Sequence, residues 1–161
     1  MKTAIIYYSY SGNTRRIAGI LNEYFKTKGA VDIVELKALD ESDKFFSQAI
    51  RAFRHKRAKL EPVNFDLTSY DLICFGTPVW AFTLTPELRT YLEKCHGLVG
   101  KKAVVFTTYG SGTGNKKCIR EIDNFLKEKG IKETRHFSIS QFKVDNGDFV
   151  RGVIEGAFSN L

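Results

Sequence analysis

The chain has 161 residues, 43% of them hydrophobic, with a net charge of +7 and a pI near 9.3. That length predicts one compact domain over residues 1–161 that hides about 70% of the surface its unfolded form would expose. No apolar run approaches the roughly 20 residues of a membrane span, and Met1-Lys2 leads straight into a strand pattern with no signal-peptide core, so the expectation is a cytoplasmic protein.

The first element is the apolar run Ala4 to Tyr8, short and unbroken, the pattern of a strand covered on both faces in a parallel sheet. A helical stripe follows at Ile17, Ala18, Leu21, Tyr24 and Phe25, with Gly29 where a C-cap belongs. Val31 to Leu36 mixes polar with apolar residues, as an edge strand does. The segment from Asp40 to Thr68 is the least regular. It holds a helical spacing at Phe45, Phe46, Ala49, Ile50 and Phe53 and a basic run from Arg51 to Lys59, and Pro62 restores extended chain.

Leu72 to Phe75 is a second apolar strand, and Thr85-Pro86-Glu87 supplies an N-cap, a proline at the first helical position and an acid in the first turn. The helix it opens carries Leu88, Tyr91, Leu92 and Cys95 and is followed by Gly97. Ala103 to Phe106 is a third central strand, followed by a stripe at Ile119, Ile122, Phe125 and Leu126 and by Gly130. Thr134 to Ser140 reads as the other edge strand, and Val150, Val153, Ile154, Ala157 and Phe158 close the chain with a helix. Right-handed crossovers then predict an α/β fold: a doubly wound five-stranded parallel sheet in the order 2-1-3-4-5, helices on both faces. In such a sheet ligands bind at the carboxyl ends of the strands where the order reverses, here between the first and third strands.

Three loops leave those carboxyl ends. The first, S-Y-S-G-N-T from Ser9 to Thr14, joins short hydroxyls and a glycine to a helix start, which makes an anion site without a lysine. Arg15 and Arg16 oppose the helix dipole unless an anion sits there; the plainer alternative is that they point into water. The second, G-T-P-V-W-A-F-T-L-T-P from Gly76 to Pro86, holds no ionisable side chain and the chain's one tryptophan, Trp80, so it suits a wall for a flat apolar ring; burial of Trp80 against the sheet is the alternative. The third, T-Y-G-S-G-T-G-N from Thr108 to Asn115, is uncharged and its glycines allow close backbone approach to a ligand.

Other signatures fail. The first loop lacks the G-x-x-x-x-G-K-S/T of a nucleoside-triphosphate loop, the third lacks a complete dinucleotide fingerprint, and Ser111 lacks the G-x-S-x-G context of a hydrolase. A phosphoacceptor receiver domain is disfavoured because the first strand ends in Tyr7-Tyr8-Ser9 with no acidic pair, and the third in Phe75-Gly76-Thr77 with no aspartate. Cys74, Cys95 and Cys118 show no C-x-x-C spacing and read as buried hydrophobes; three scattered histidines add no metal site.

With these loops the chain resembles the flavodoxin family of FMN-binding proteins, from residue 1 to about 130, and the predicted sheet is that family's flavodoxin-like fold. The resemblance implies FMN as cofactor, with the flavin carrying the chemistry and no catalytic side chain or metal. It implies a cofactor site in which Ser9, Tyr10, Ser11, Gly12, Asn13 and Thr14 surround the phosphate. Thr77, Pro78, Val79, Trp80 and Ala81 would line the isoalloxazine, with Thr108, Tyr109, Gly110, Ser111 and Gly112 on its pyrimidine side. Two departures matter. Typical flavodoxins are strongly acidic, whereas this chain is basic, so its redox partner is expected to present an anionic docking surface. Many also have glycine after the second-loop tryptophan, where a peptide flip can serve flavin N5; if that flip requires φ > 0, Ala81 here is expected to disfavour it by roughly 1 kcal/mol and leave the half-reduced flavin less populated. With no carboxylate in the second and third loops, the fully reduced flavin is expected to be less destabilised than in acidic relatives.

The function implied is electron transfer between a reductase and a protein or small-molecule acceptor. The alternative is an NAD(P)H-dependent quinone or flavin reductase of the same fold, in which Arg51, Arg54, Lys56 and Arg57 hold a 2'-phosphate or an anionic partner; a solvated helix face is the plainer account of that cluster. Nucleic-acid binding rests on net charge alone, without a helix-turn-helix, zinc or stacking context.

Overall fold

The computed structural model describes residues 1–39, 49–52 and 54–159. Strands β1 (Lys2–Tyr7), β2 (Ala30–Glu35), β3 (Leu72–Pro78), β4 (Lys102–Tyr109) and β5 (Glu133–Ser140) form one parallel sheet in the order β2-β1-β3-β4-β5. Helices α1 (Asn13–Lys26), α2 (Pro86–Lys94), α3 (Asn115–Glu128) and α4 (Gly147–Phe158) cover it, and a 3-10 turn at Gln141–Lys143 links β5 to α4. Residues 49–52 are helical, as expected for Ala49 and Ile50, while Phe45, Phe46 and Phe53 lie outside the described residues.

Two cores explain the unbroken apolar runs. On one face Ala4, Ile6 and Tyr8 meet Ile73, Phe75, Val105 and the stripes of α2 and α3; on the other Ile5 and Tyr7 meet Cys74, Val104, Phe106 and the stripes of α1 and α4. Successive side chains of a strand point to opposite faces, so a strand between two helical layers is apolar at every position. β2 and β5 are the edges and carry mixed burial patterns, as their composition predicts.

The caps part from expectation in two places. Gly130, at φ 79, does end α3: its amide bonds the Lys127 carbonyl at 3.0 Å and the Ile131 amide bonds that of Leu126 at 3.0 Å, a Schellman arrangement. Gly29 instead permits close approach, since a Cβ there would lie 2.0 Å from the Met1 carbonyl oxygen. At Gly97 a Cβ would likewise lie 2.5 Å from the Thr68 amide nitrogen, and α2 already ends in extended backbone at Cys95. The Lys101 ammonium staples the entry to β3 by donating to the carbonyls of Leu67, Thr68 and Tyr70 at 2.7, 2.6 and 2.6 Å.

All three cysteines are free and buried. Burial pushes the Cys95 thiol up to about 11, and the thiols of Cys74 and Cys118 higher still. Among the described residues no helix is long and apolar enough to cross a membrane.

Candidate functional site

At the end of β1 the chain keeps to the sheet for one more residue, the Tyr8 amide bonding the Gly76 carbonyl at 3.1 Å, then turns through Gly12, left-handed at φ 89, into α1. The first intrahelical bond runs from the Arg16 amide to the Gly12 carbonyl at 3.0 Å, and the Ser9 hydroxyl oxygen accepts from the Arg15 amide at 3.2 Å. The α1 start thus has one of its orphan amides capped, has no acid in its first turn, and presents amides of positive partial charge.

Arg15 and Arg16 are exposed but each is paired with an acid. The Arg15 guanidinium forks onto Glu35 at the end of β2, with contacts of 2.6 and 3.0 Å, and Arg16 pairs with Asp145 ahead of α4. Glu35 raises the Arg15 pKa, chiefly through the hydrogen bond. Burial, then the Glu35 charge, raises that of Tyr7, whose hydroxyl lies 3.4 Å from Glu35. These ion pairs anchor the helix to its neighbours.

The second loop begins later than the sequence suggests, because β3 pairs with β4 through Pro78 and Thr108, and the Val79 amide bonds the Thr108 carbonyl at 2.8 Å. The chain then reverses in a two-residue turn closed by reciprocal bonds of 3.0 Å between the backbones of Trp80 and Thr83. Its central residues, Ala81 and Phe82, are both left-handed, at φ 46 and 67. Such a turn normally takes Asn-Gly; two side-chain-bearing residues there cost about 1–3 kcal/mol each and persist only where surroundings hold them. Ala81 thus adopts the left-handed backbone that alanine disfavours by roughly 1 kcal/mol, and the hairpin geometry overrides that local preference.

The third loop leaves β4 at Tyr109, whose ring lies against Gly112, and enters α3 through Gly114 at φ 83. Thr107, Asn115 and Ser138 are linked side chain to side chain at 2.6, 2.8 and 2.8 Å, which fixes the α3 start to β5.

These loops enclose a cleft of about 520 Å³ lined by Tyr10, Ser11, Asn13, Thr14, Pro78, Val79, Trp80, Thr108, Tyr109, Gly110, Ser111 and Gln141. The volume falls in the ordinary range for cofactor and small-molecule sites, and among the described residues none that lines it carries a charge. A larger cleft, about 710 Å³, opens at the amino ends of the strands around Met1, Tyr24, Leu72 and Lys102. Doubly wound sheets bind ligands at the opposite end, and Lys101 and Lys102 are already engaged there by carbonyls and by Glu133, so the smaller cleft is the candidate.

Of the predicted site residues, Ser9, Gly12, Thr77, Ala81 and Gly112 are not in the lining. Ser9 is occupied as a cap, and buried Thr77 bonds Thr85 at 3.3 Å and the Pro78 carbonyl at 2.9 Å. Trp80 lines the cleft, yet it is only 5% exposed, with the rings of Tyr8 and Tyr10 each 5.6 Å away edge-on. Gln141 was not anticipated; its one signal is position, directly after β5.

A family model described as Flavodoxin matches residues 2–150. The chain belongs to the flavodoxin family. Solved structures agree on the flavodoxin fold. The flavoprotein of Lactobacillus acidophilus, solved in complex with FMN, is 21% identical, with 91% of this chain and 98% of that one covered at a TM-score of 0.66. The two-electron-reduced flavodoxin of Megasphaera elsdenii is 20% identical over 96% and 97% of the two chains at 0.63. An NADH:FMN oxidoreductase, solved in its apo form, is 15% identical over 99% and 87% at 0.69. In this flavodoxin-family chain the switch point between β1 and β3 is where the three loops converge.

Proposed function

We propose that the chain binds FMN in this cleft and passes electrons between a reductase and a protein or small-molecule acceptor. The observation that carries the reading is a cleft whose described lining is uncharged and includes Trp80 and Tyr109, beside an acid-free helix start. The residues fit the group: a planar ring system suits the aromatic and glycine-rich walls, and a phosphate suits amides and hydroxyls at a helix N-terminus.

Ser11, Asn13 and Thr14 would hold the phosphate, with backbone amides from Ser9 to Thr14 beside them. Pro78, Val79 and Trp80 would cover one side of the ring and Tyr10 its edge. Thr108, Tyr109, Gly110, Ser111 and Gln141 would offer polar contacts on the pyrimidine side, with Thr77, Ala81 and Gly112 shaping the backbone behind. When bound, FMN supplies the electron-accepting and electron-donating chemistry. The chain orients it, excludes water with aromatic side chains, and, among the described residues, places no carboxylate in the lining to oppose added negative charge.

The basic surface favours a partner with an anionic docking face. Three free thiols fit a reducing, cytoplasmic setting. The reductase reading leans on the 51–59 cluster, whose charge is partly met within the chain: Arg57 forks onto Glu93 at 2.7 and 3.0 Å and donates to the His55 carbonyl at 3.2 Å. Equilibrium titration with FMN, followed by stepwise anaerobic reduction, tests the proposal. Saturable uptake with quenched flavin emission is expected; a colourless protein that takes up no FMN in dialysis would sink it. Oxidation of NADPH with a quinone and no added reductase would replace the carrier by the reductase.

A further inference from the structure

The turn from Trp80 to Thr83 has no glycine or asparagine to ease its two left-handed residues. Its stability has to come from outside the turn, where Arg89 and Glu121 both meet the Thr83 side chain. The Thr83 hydroxyl donates to Glu121 of α3 and accepts from the Arg89 guanidinium of α2 at 2.9 Å. Arg89 and Glu121 are themselves paired at 2.6 Å, so both bonding directions of one hydroxyl are fixed by an ion pair spanning two helices. Arg89 is 5% exposed and its guanidinium lies 6.0 Å from the Phe125 ring centre. On the far side Gly114 leaves the room Phe82 needs, since a Cβ there would lie 2.3 Å from its ring.

A buried ion pair is a poor source of net stability, because desolvation offsets most of its attraction; fixing one geometry among several is its better-attested use. Here that geometry belongs to Trp80, which is bonded through both backbone groups to Thr83. We propose that Thr83, Glu121 and Arg89 are positioning residues that hold the strained turn and so set Trp80 as a wall of the cleft. The proposal rests on the reading of that cleft as the FMN site, and it deepens that reading by assigning the support for the wall.

Trp80 is the sole tryptophan, so its near-ultraviolet circular dichroism and its quenching by acrylamide report the turn directly in FMN-free protein. Thr83→Val, nearly isosteric but without the hydroxyl, is expected to flatten that dichroic signal, raise quenching, and weaken FMN binding about tenfold, as loss of a hydrogen bond to a charged group does. Thr83→Ser, which keeps the hydroxyl, is expected to restore all three. Glu93→Gln breaks the exposed Arg57–Glu93 pair without touching the turn and is expected to change none. If Thr83→Val does not fold, Glu121→Gln is read in its place, with the same direction expected.

A folded Thr83→Val or Glu121→Gln protein with the wild-type Trp80 signal would overturn the proposal. So would a Thr83→Ser protein as altered as Thr83→Val. Failure of the wild-type chain to bind FMN would defeat the cofactor reading instead, while the Trp80 signals of the FMN-free variants would still decide the positioning role.

Discussion

Thr14 and Thr108, 94 residues apart in sequence, share a buried hydrogen bond of 2.9 Å that joins the first turn of α1 to the end of β4. The bond ties the first loop to the third across the floor of the cleft. Replacing either residue by valine strands the other hydroxyl in a buried place and is expected to cost about 1–3 kcal/mol, whereas the double replacement removes both polar groups and costs less than the sum. Urea unfolding of the two single variants and the double variant measures this coupling.

Gly76 packs closely beneath the ring of Phe106 in the central sheet. A Cβ there would fall 2.1 Å from the Phe106 ring on the neighbouring strand, a wholly buried side chain. Gly76→Ala is expected to destabilise by about 1–3 kcal/mol through overpacking, and adding Phe106→Leu is expected to recover part of the loss. Thermal melts of the pair check it.

The three thiols offer a chemical test of packing. Each is buried, and burial raises each thiol pKa, so the thiolate needed for reaction is scarce at neutral pH. A disulfide reagent added to the native protein is expected to titrate none of the three cysteines within minutes and all three in denaturant. Rapid reaction of a thiol without unfolding would contradict the core described above.

Stability should fall at both ends of the pH scale. Asp32 is held below the usual carboxylate range by the Tyr70 hydroxyl at 2.8 Å and then by Lys2, while a bond from Thr68 lowers Asp66 and one from Arg135 lowers Glu133. A depressed carboxyl stabilises the fold above its unfolded pKa, roughly 4, and that contribution is lost as pH falls through the folded value. Tyr70 and Tyr91 are raised, chiefly by burial, so their contribution is whole below roughly pH 10 and is lost above it. Urea midpoints across this range test both limbs, and Asp32→Asn is expected to shrink the acid one.

The sheet order was legible because its signals are local and redundant. Ala4 to Tyr8 and Ala103 to Phe106 are apolar at every position since alternate side chains enter different cores, and Val31 to Leu36 is not, since it forms an edge. The cleft was legible in part, as the Tyr10, Trp80 and Tyr109 loops each announce themselves by composition. Long-range pairings were not. Nothing near Arg15 or Arg16 points to Glu35 or Asp145, and Thr83, Arg89 and Glu121 meet only after two helices have docked. The left-handed Ala81 and Phe82 were hidden for the converse reason: local propensity argues against them, and tertiary contacts win.

The pairing of Arg15 with Glu35 and of Arg16 with Asp145 leaves the backbone amides, rather than those two guanidinium charges, to face an anion at the mouth of α1. An anion seated there would be gripped by neutral dipoles, which release few counterions from the surrounding solution. Its hold should slacken little in strong brine, so selectivity among oxyanions would follow their size and number of acceptor oxygens rather than total charge.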